Sequence, residues 1–231
     1  VLTSYSLCND YKILIIMRKI TDNKELIKLC SFMIMGDGGV YVIKKNAKFI
    51  MNMISQNEDY VLLCKDILEN ITPCNIYQIQ KKGNRQLQLR IESRIHPFFT
   101  ILRKRIYVGT YKSIDNHALK LLDYEALSFL YMSDGSLVTD FRPEIGMKNP
   151  SYNVTLNLKR LSYGDLFILK KALKDKLDLE WNINKQNQYF YLRLRTKDIH
   201  KFMINIKPYI TKSFMYKILD ETLLQKDDEI V

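Results

Sequence analysis

Cysteine and histidine are scarce in this 231-residue chain: Cys8, Cys30, Cys64 and Cys74 form no CxxC pair, and the three histidines are scattered. That pattern excludes a zinc site of ordinary spacing and a disulfide framework, and it points to a reducing compartment. Long hydrophobic runs are missing too. No apolar stretch approaches the ~20 residues that span a bilayer, and the run from Ile13 to Met17 falls short of the ~7 to 15 residues of a secretory core, so no membrane partner is expected. Acid is in short supply, with 25 Asp and Glu against 36 Lys and Arg, a formal charge of +11. Such an excess calls for a polyanionic partner, nucleic acid before a membrane surface. The length suits one large domain or two compact halves, each with a core of its own. Ile, Lys, Asn and Tyr, the residues of A/T-rich codons, are abundant. They suggest an organellar or phage genome, and so a mitochondrion or other organelle, or the cytoplasm of a bacterial or phage-infected host.

What is present is a repeat. Cys30-Ser31-Phe32-Met33-Ile34-Met35-Gly36-Asp37-Gly38 is echoed by Leu127-Ser128-Phe129-Leu130-Tyr131-Met132-Ser133-Asp134-Gly135, with five of nine positions identical and the two Asp 97 positions apart. Each copy is a short apolar run ending in Asp-Gly, the pattern of a buried helix whose last turn delivers a carboxylate before Gly lets the backbone leave in a left-handed turn. Either copy alone reads first as a buried helix end with a solvated Asp. Together they imply two helices packed side by side, with Asp37 and Asp134 at neighbouring ends. Two carboxylates at the negative ends of two helix dipoles repel, and a divalent cation relieves that repulsion.

The rest of the chain follows the same order twice. Asp22 and Glu25 form a capping-box pattern opening the first motif helix. Strands are expected at Val40 to Ile43 and Lys48 to Ile54, and a helix from Glu58 to Glu69. Further strands follow at Cys74 to Gln80 and Arg85 to Glu92, joined by a turn at 81–84, then a helix from His96 to Tyr107 with Pro97 in its first turn. In the second half Asp123 caps the motif helix and strands are expected at Ser136 to Thr139 and Asn153 to Arg160. A helix from Gly164 to Lys176, a hairpin of Leu179 to Lys185 with Gln188 to Arg195, and a helix from Lys197 to Ile206 complete it. The fold class expected is α+β, two pseudo-symmetric αββαββα repeats, each with a four-stranded antiparallel sheet. The boundaries are an N-terminal extension 1–21 with Met17 as a candidate ancestral start, a first repeat 22–110, a linker 111–122, a second repeat 123–220 and a tail 221–231. The loop 140–151 has no counterpart in the first half.

Alternation orients the sheets. Leu87, Leu89 and Ile91 point one way, and Gln86, Gln88 and Arg90 the other. Val154, Leu156 and Leu158 oppose Asn153, Thr155, Asn157 and Lys159. Trp181 and Ile183 oppose Asn182 and Asn184; Phe190, Leu192 and Leu194 oppose Tyr189, Tyr191, Arg193 and Arg195. The outer sets are rich in side chains able to contact base edges in a major groove, and acids there are few, chiefly Glu92 and Glu180. Two such faces related by the repeat would form a basic saddle along a DNA duplex.

The paired nonapeptides resemble the motif of the LAGLIDADG homing endonucleases, in the single-chain, two-repeat branch typified by the omega-intron endonuclease. Many members have small residues at the second and third motif positions, whereas here Ser31 and Ser128 are followed by Phe32 and Phe129. The resemblance covers about residues 22 to 220 and implies that the eighth motif residues, Asp37 and Asp134, are catalytic metal ligands for Mg²⁺, with Mn²⁺ able to substitute. It also implies active-site lysines at Lys112 in Tyr111-Lys112-Ser113-Ile114 and Lys217 in Met215-Tyr216-Lys217-Ile218, 105 positions apart. The activity implied is that of a monomer hydrolysing both strands of a long asymmetric DNA target. The alternatives within the resemblance are an RNA maturase that assists splicing of its intron RNA, and a relative that binds DNA without cutting.

Overall fold

The computed structural model describes residues 19–80, 86–140 and 151–219. Most of the expected N-terminal extension, the turn at 81–84, the loop 141–150 and the tail lie outside the described residues. The Asp22 carboxylate accepts the Lys24 N–H at 2.8 Å and opens α1 (Asn23–Met35), while Glu25 pairs with Lys28 at 2.8 Å. Asp123 likewise accepts the Ala126 N–H at 2.8 Å and opens α5 (Tyr124–Asp134). Every side chain from Leu29 to Met35 and from Ala126 to Met132 is buried. Helices apolar on all sides belong in an interior, and these two pack against each other at the centre of the molecule.

The two motif segments are in tight contact at the seventh motif position. A Cβ on Gly36 would fall 2.6 Å from Ser133 Oγ and 3.6 Å from the Phe129 carbonyl oxygen. Both motif phenylalanines are fully buried, and the ring of Phe129 lies 6.1 Å from that of Tyr60. At the opposite ends of the pair, buried Lys28 joins α1 to α5 through Asp123 and, at 4.0 Å, Glu125.

From each motif helix the chain passes into a sheet, after three residues in the first half and at once in the second. It does not leave through the left-handed glycine expected: Gly135 leaves α5 in extended backbone at φ −79°, and among the described glycines only Gly109 has a positive φ. In the first half β1 (Gly39–Ile43), β2 (Asn46–Ile54), β3 (Cys74–Ile79) and β4 (Gln88–Ser93) pair antiparallel in the order β1-β2-β4-β3. The connecting helices are α2 (Glu58–Glu69) and α3 (Pro97–Ile106). In the second, β7 (Gly135–Asp140), β8 (Ser151–Leu156), β9 (Trp181–Gln186) and β10 (Tyr189–Leu194) pair as β7-β8-β10-β9, with α6 (Tyr163–Leu177) and α7 (Ile199–Ile206). The identical order makes the two halves copies of one αββαββα unit. Helices cover one face of each sheet, and burial follows the expected alternation: Leu89, Ile91, Val154, Leu156, Leu158, Leu192 and Leu194 all point inward. The three described cysteines, Cys30, Cys64 and Cys74, are buried free thiols.

Several boundaries depart from the sequence reading. β8 stops at Leu156 instead of Arg160: the Asn157 N–H still bonds across to the Asp134 carbonyl at 2.8 Å, and beyond it the chain leaves the sheet through tight turns closed by the Lys159 and Leu161 N–H groups. The last helix begins at Ile199, two residues late, because residues Thr196–Asp198 form a 3-10 turn. After α3 comes an unexpected hairpin, β5 (Tyr107–Val108) and β6 (Tyr111–Lys112), whose turn uses Gly109 at φ +62°. That left-handed conformation suits a residue without a Cβ. A short helix, α4 (Asn116–Leu119), follows it, with buried Asp115 accepting both the His117 N–H and the Ser31 hydroxyl.

Candidate active site and nucleic-acid face

Asp134 is the last residue of α5, and Asp37 stands two residues beyond the end of α1, just before β1. Both line one cleft of about 350 Å³ together with Gly36, Ser133, Asn157, Lys159 and Arg160. Loss of water raises both carboxyls above the ordinary range. For Asp134 the neighbouring Asp37 charge adds to the effect and the value reaches about 6, while Lys112, Arg160 and Lys217 pull the other way. Asp37 is raised although its side chain reaches solvent, and the same three cations oppose the shift. An acid pair that resists carrying two charges favours a cation between or beside them.

The two lysines singled out in the sequence converge on this cleft by different routes. Lys112, on β6, donates to the Gly36 carbonyl at 2.5 Å and the Gly38 carbonyl at 2.8 Å. Lys217, in a 3-10 stretch (Lys212–Lys217), donates to Met132 at 2.7 Å and Tyr131 at 3.2 Å. Each therefore sits at the carbonyl-rich end of a motif helix, Lys217 on carbonyls in the last turn of α5 and Lys112 on those just past α1, where a cation is favoured by the dipole. Both are buried, and desolvation lowers each amine to about 8. Arg160 lowers Lys112 further, whereas Asp134 and Asp37 support the charge of both lysines. The segment after Lys112 is fixed to the second repeat by Asp165, which accepts the Ser113 hydroxyl at 2.7 Å and the Ile114 N–H at 3.1 Å.

The outward residues of the second sheet fall into register. Asn182 on β9, Arg193 on β10, Thr155 on β8 and Ser136 on β7 make one row across the strands, and Asn184 opposes Tyr191 in the next. Tyr189 lies opposite Gln186, and Lys159 Nζ stands 5.8 Å from the Tyr189 ring. Asn157 and Lys159 lie past the end of β8 and link this face to the acid cleft. Asn153 faces Val138, and its Oδ1 is a buried acceptor with no protein donor. Arg195 lies beyond β10 and is engaged by Glu180.

In the first sheet Gln86 lies before β4, while Gln88 and Arg90 are on it. Gln88 Oε1, like Asn153 Oδ1, has no protein donor. Arg90 donates to Asn52 at 2.8 Å and pairs with Glu92, which also holds Lys48 at 2.6 Å.

Sequence reasoning overlooked several members of these surfaces. Lys48 and Asn52 on β2 and Asn75 and Tyr77 on β3 share the outward face of β4 through the strand register. Their signal was the same alternation, applied to β4 but not to its neighbours. Arg160 and Ser133 in the cleft were also missed. Ser133 was legible as a motif position, but Arg160 is brought to the acids only by the chain's departure from β8.

The model of the LAGLIDADG DNA endonuclease family matches residues 32–202. An uncharacterized protein of Methanocaldococcus jannaschii is 30% identical over 124 residues, 53% of this chain and 45% of that protein, so the chain spans less than half the length of this relative. Among solved structures, the homing endonuclease I-WcaI bound to its DNA recognition sequence superposes with a TM-score of 0.69 at 19% identity, covering 92% of this chain and 95% of that one. The meganuclease I-SmaMI bound to uncleaveable DNA gives 0.52 at 15% identity, with 88% of each chain covered. With a family match across most of the chain, a duplicated sheet order and paired acids at two abutting helix ends, this protein belongs to the LAGLIDADG DNA endonuclease family, in its two-repeat form.

Proposed function

We propose that this chain is a metal-dependent endonuclease that hydrolyses both strands of a long, asymmetric double-stranded DNA target, and that it acts as a monomer. One observation carries the reading: two carboxylates enter a single cleft from two abutting helix ends, each end capped by a buried lysine of its own repeat. Among the described residues no group of three or more His, Cys, Asp or Glu side chains is placed to hold a metal alone. Two carboxylates nevertheless suit Mg²⁺, which keeps several waters and takes further ligands from substrate phosphates. Asp37 and Asp134 would hold it, and Mn²⁺ would substitute. When bound, the cation polarises a phosphoryl oxygen and lowers the pKa of an attacking water.

The chain's own residues supply the remainder. Lys112 and Lys217, with amines near 8, remain largely protonated at neutral pH and place positive charge where charge develops on the phosphate. Exposed Arg160 offers a planar, permanently charged fork at the cleft mouth, suited to a phosphate oxygen. The outward rows of both sheets supply amide and guanidinium groups for base edges. Duplex DNA as partner is supported by the DNA-bound state of the two solved relatives. The test is a plasmid carrying the uninterrupted form of the locus that holds this reading frame. Wild-type protein with Mg²⁺ should linearise it, whereas Asp37→Asn or Asp134→Asn should bind it without cutting both strands. Unchanged double-strand cleavage by either variant would remove that Asp from the mechanism.

A further inference from the structure

The two acids are not held alike. The seventh motif position is Gly36 in one repeat and Ser133 in the other, and these two residues meet where the helices touch. Ser133 Oγ lies 3.4 Å from the Asp37 N–H and 3.4 Å from the hydroxyl of Tyr60. Tyr60, on α2 of the first repeat, is wholly buried. Its ring is wedged between Phe129 of α5, at 6.1 Å, and Phe214 of the C-terminal segment, at 5.4 Å. A serine hydroxyl has one donor and two acceptor sites. The Asp37 N–H donates to that hydroxyl, which ties the Asp37 backbone to α5, and the Tyr60 hydroxyl shares a hydrogen bond with the same oxygen. Asp134 has no counterpart, because Gly36 has no side chain to offer.

We infer that Ser133, oriented by Tyr60, is a positioning residue that presents the Asp37 carboxylate to its cation, so that the second repeat builds part of the first repeat's metal site. The inference rests on the metal-binding reading above. It predicts non-equivalent centres: Asp37 is fixed by a hydroxyl from the opposite repeat, whereas Asp134 is fixed by its own helix.

Mn²⁺ alone, titrated into DNA-free full-length protein and followed by the EPR signal of the free ion, tests this. Ser133→Ala keeps the Cβ that packs on Gly36 and removes only the hydroxyl. It should weaken binding roughly three- to tenfold, the worth of one ordinary intramolecular hydrogen bond. Tyr60→Phe, which keeps the ring packing, should weaken it less and add nothing in the Ser133→Ala background. The effect of Ser133→Ala should vanish in an Asp37→Asn background and persist in Asp134→Asn, a dependence that general loosening of the fold would not produce. Wild-type affinity in Ser133→Ala, or an equal loss in both Asn backgrounds, would overturn the positioning role while leaving the metal site standing. Mn²⁺ binding insensitive to both Asp37→Asn and Asp134→Asn would instead overturn the metal reading, and this inference with it.

Discussion

Asp134 shows what the site costs the fold at the scale of one residue. Its carboxyl rises from 3.8 to about 6 through loss of water and the nearby Asp37 charge. A folded-state value above the unfolded one means that the native protein binds the extra proton between those two pH values. This group's penalty is therefore complete above about pH 6 and fades as pH falls toward the unfolded value. Asp134→Asn mimics the protonated form, so without divalent cation at pH 7 it should stabilise the fold by about 1–3 kcal/mol. That is a rise of roughly 2–12 °C in melting temperature for a chain of this size, read by thermal denaturation; an unchanged or lower Tm would refute it. The lysines carry the complementary prediction. Replacing Lys112 or Lys217 with Met keeps an apolar stem and removes the charge, so each single variant should slow one strand more than the other and let nicked circular plasmid accumulate before linear product. Wild-type strand rates in both variants would return these lysines to a purely structural capping role.

At the scale of elements, the contact between α1 and α5 sets the geometry of the acid pair. A methyl group at Gly36 would meet Ser133 Oγ at 2.6 Å and Ser133 Cβ at 2.9 Å, closer than real side chains approach. Gly36→Ala must therefore push the helix ends apart, at a cost of about 1–3 kcal/mol for overpacking. It should lower the melting temperature and, by moving Asp37 away from Asp134, depress cleavage more than DNA binding. Equal losses in both would argue against a site held by this contact. The sheets carry their own control in Glu92, which occupies Lys48 and Arg90 on the outward face of the first half. Glu92→Gln should free those cations for phosphates. DNA affinity should rise at low salt, and the slope of log K against log salt should steepen by about 0.9 for each further phosphate that is neutralised. A slope identical to wild type would place Lys48 and Arg90 away from the DNA backbone.

For the whole molecule, the sequence by itself determined the duplication, the delivery of an acid at the end of each motif helix and the face each strand turns outward. These features are local or periodic: an apolar run closed by Asp-Gly, a capping Asp before each helix, and alternation along β4, β8, β9 and β10 are all written within a few residues. The repeat then implied the pairing of α1 with α5, because two helices apolar on every side have nowhere else to go. Tertiary structure alone decided what surrounds the acids. Lys112 and Lys217 stand at matching repeat positions, yet one arrives on a hairpin turned by Gly109 and the other on a 3-10 stretch, and only packing reveals that both donate to carbonyls at the motif-helix ends. Arg160 reads as the end of a strand, yet the turns that follow Asn157 take the chain out of β8 before it is reached. Ser133 meets Asp37 across 96 positions of sequence, and Lys48 shares a face with Arg90 by register rather than by spacing. Periodicity specifies which side of an element is buried, because that depends on the chain's own geometry. Which groups converge at one point depends on how finished elements fit together, and no local pattern carries that information.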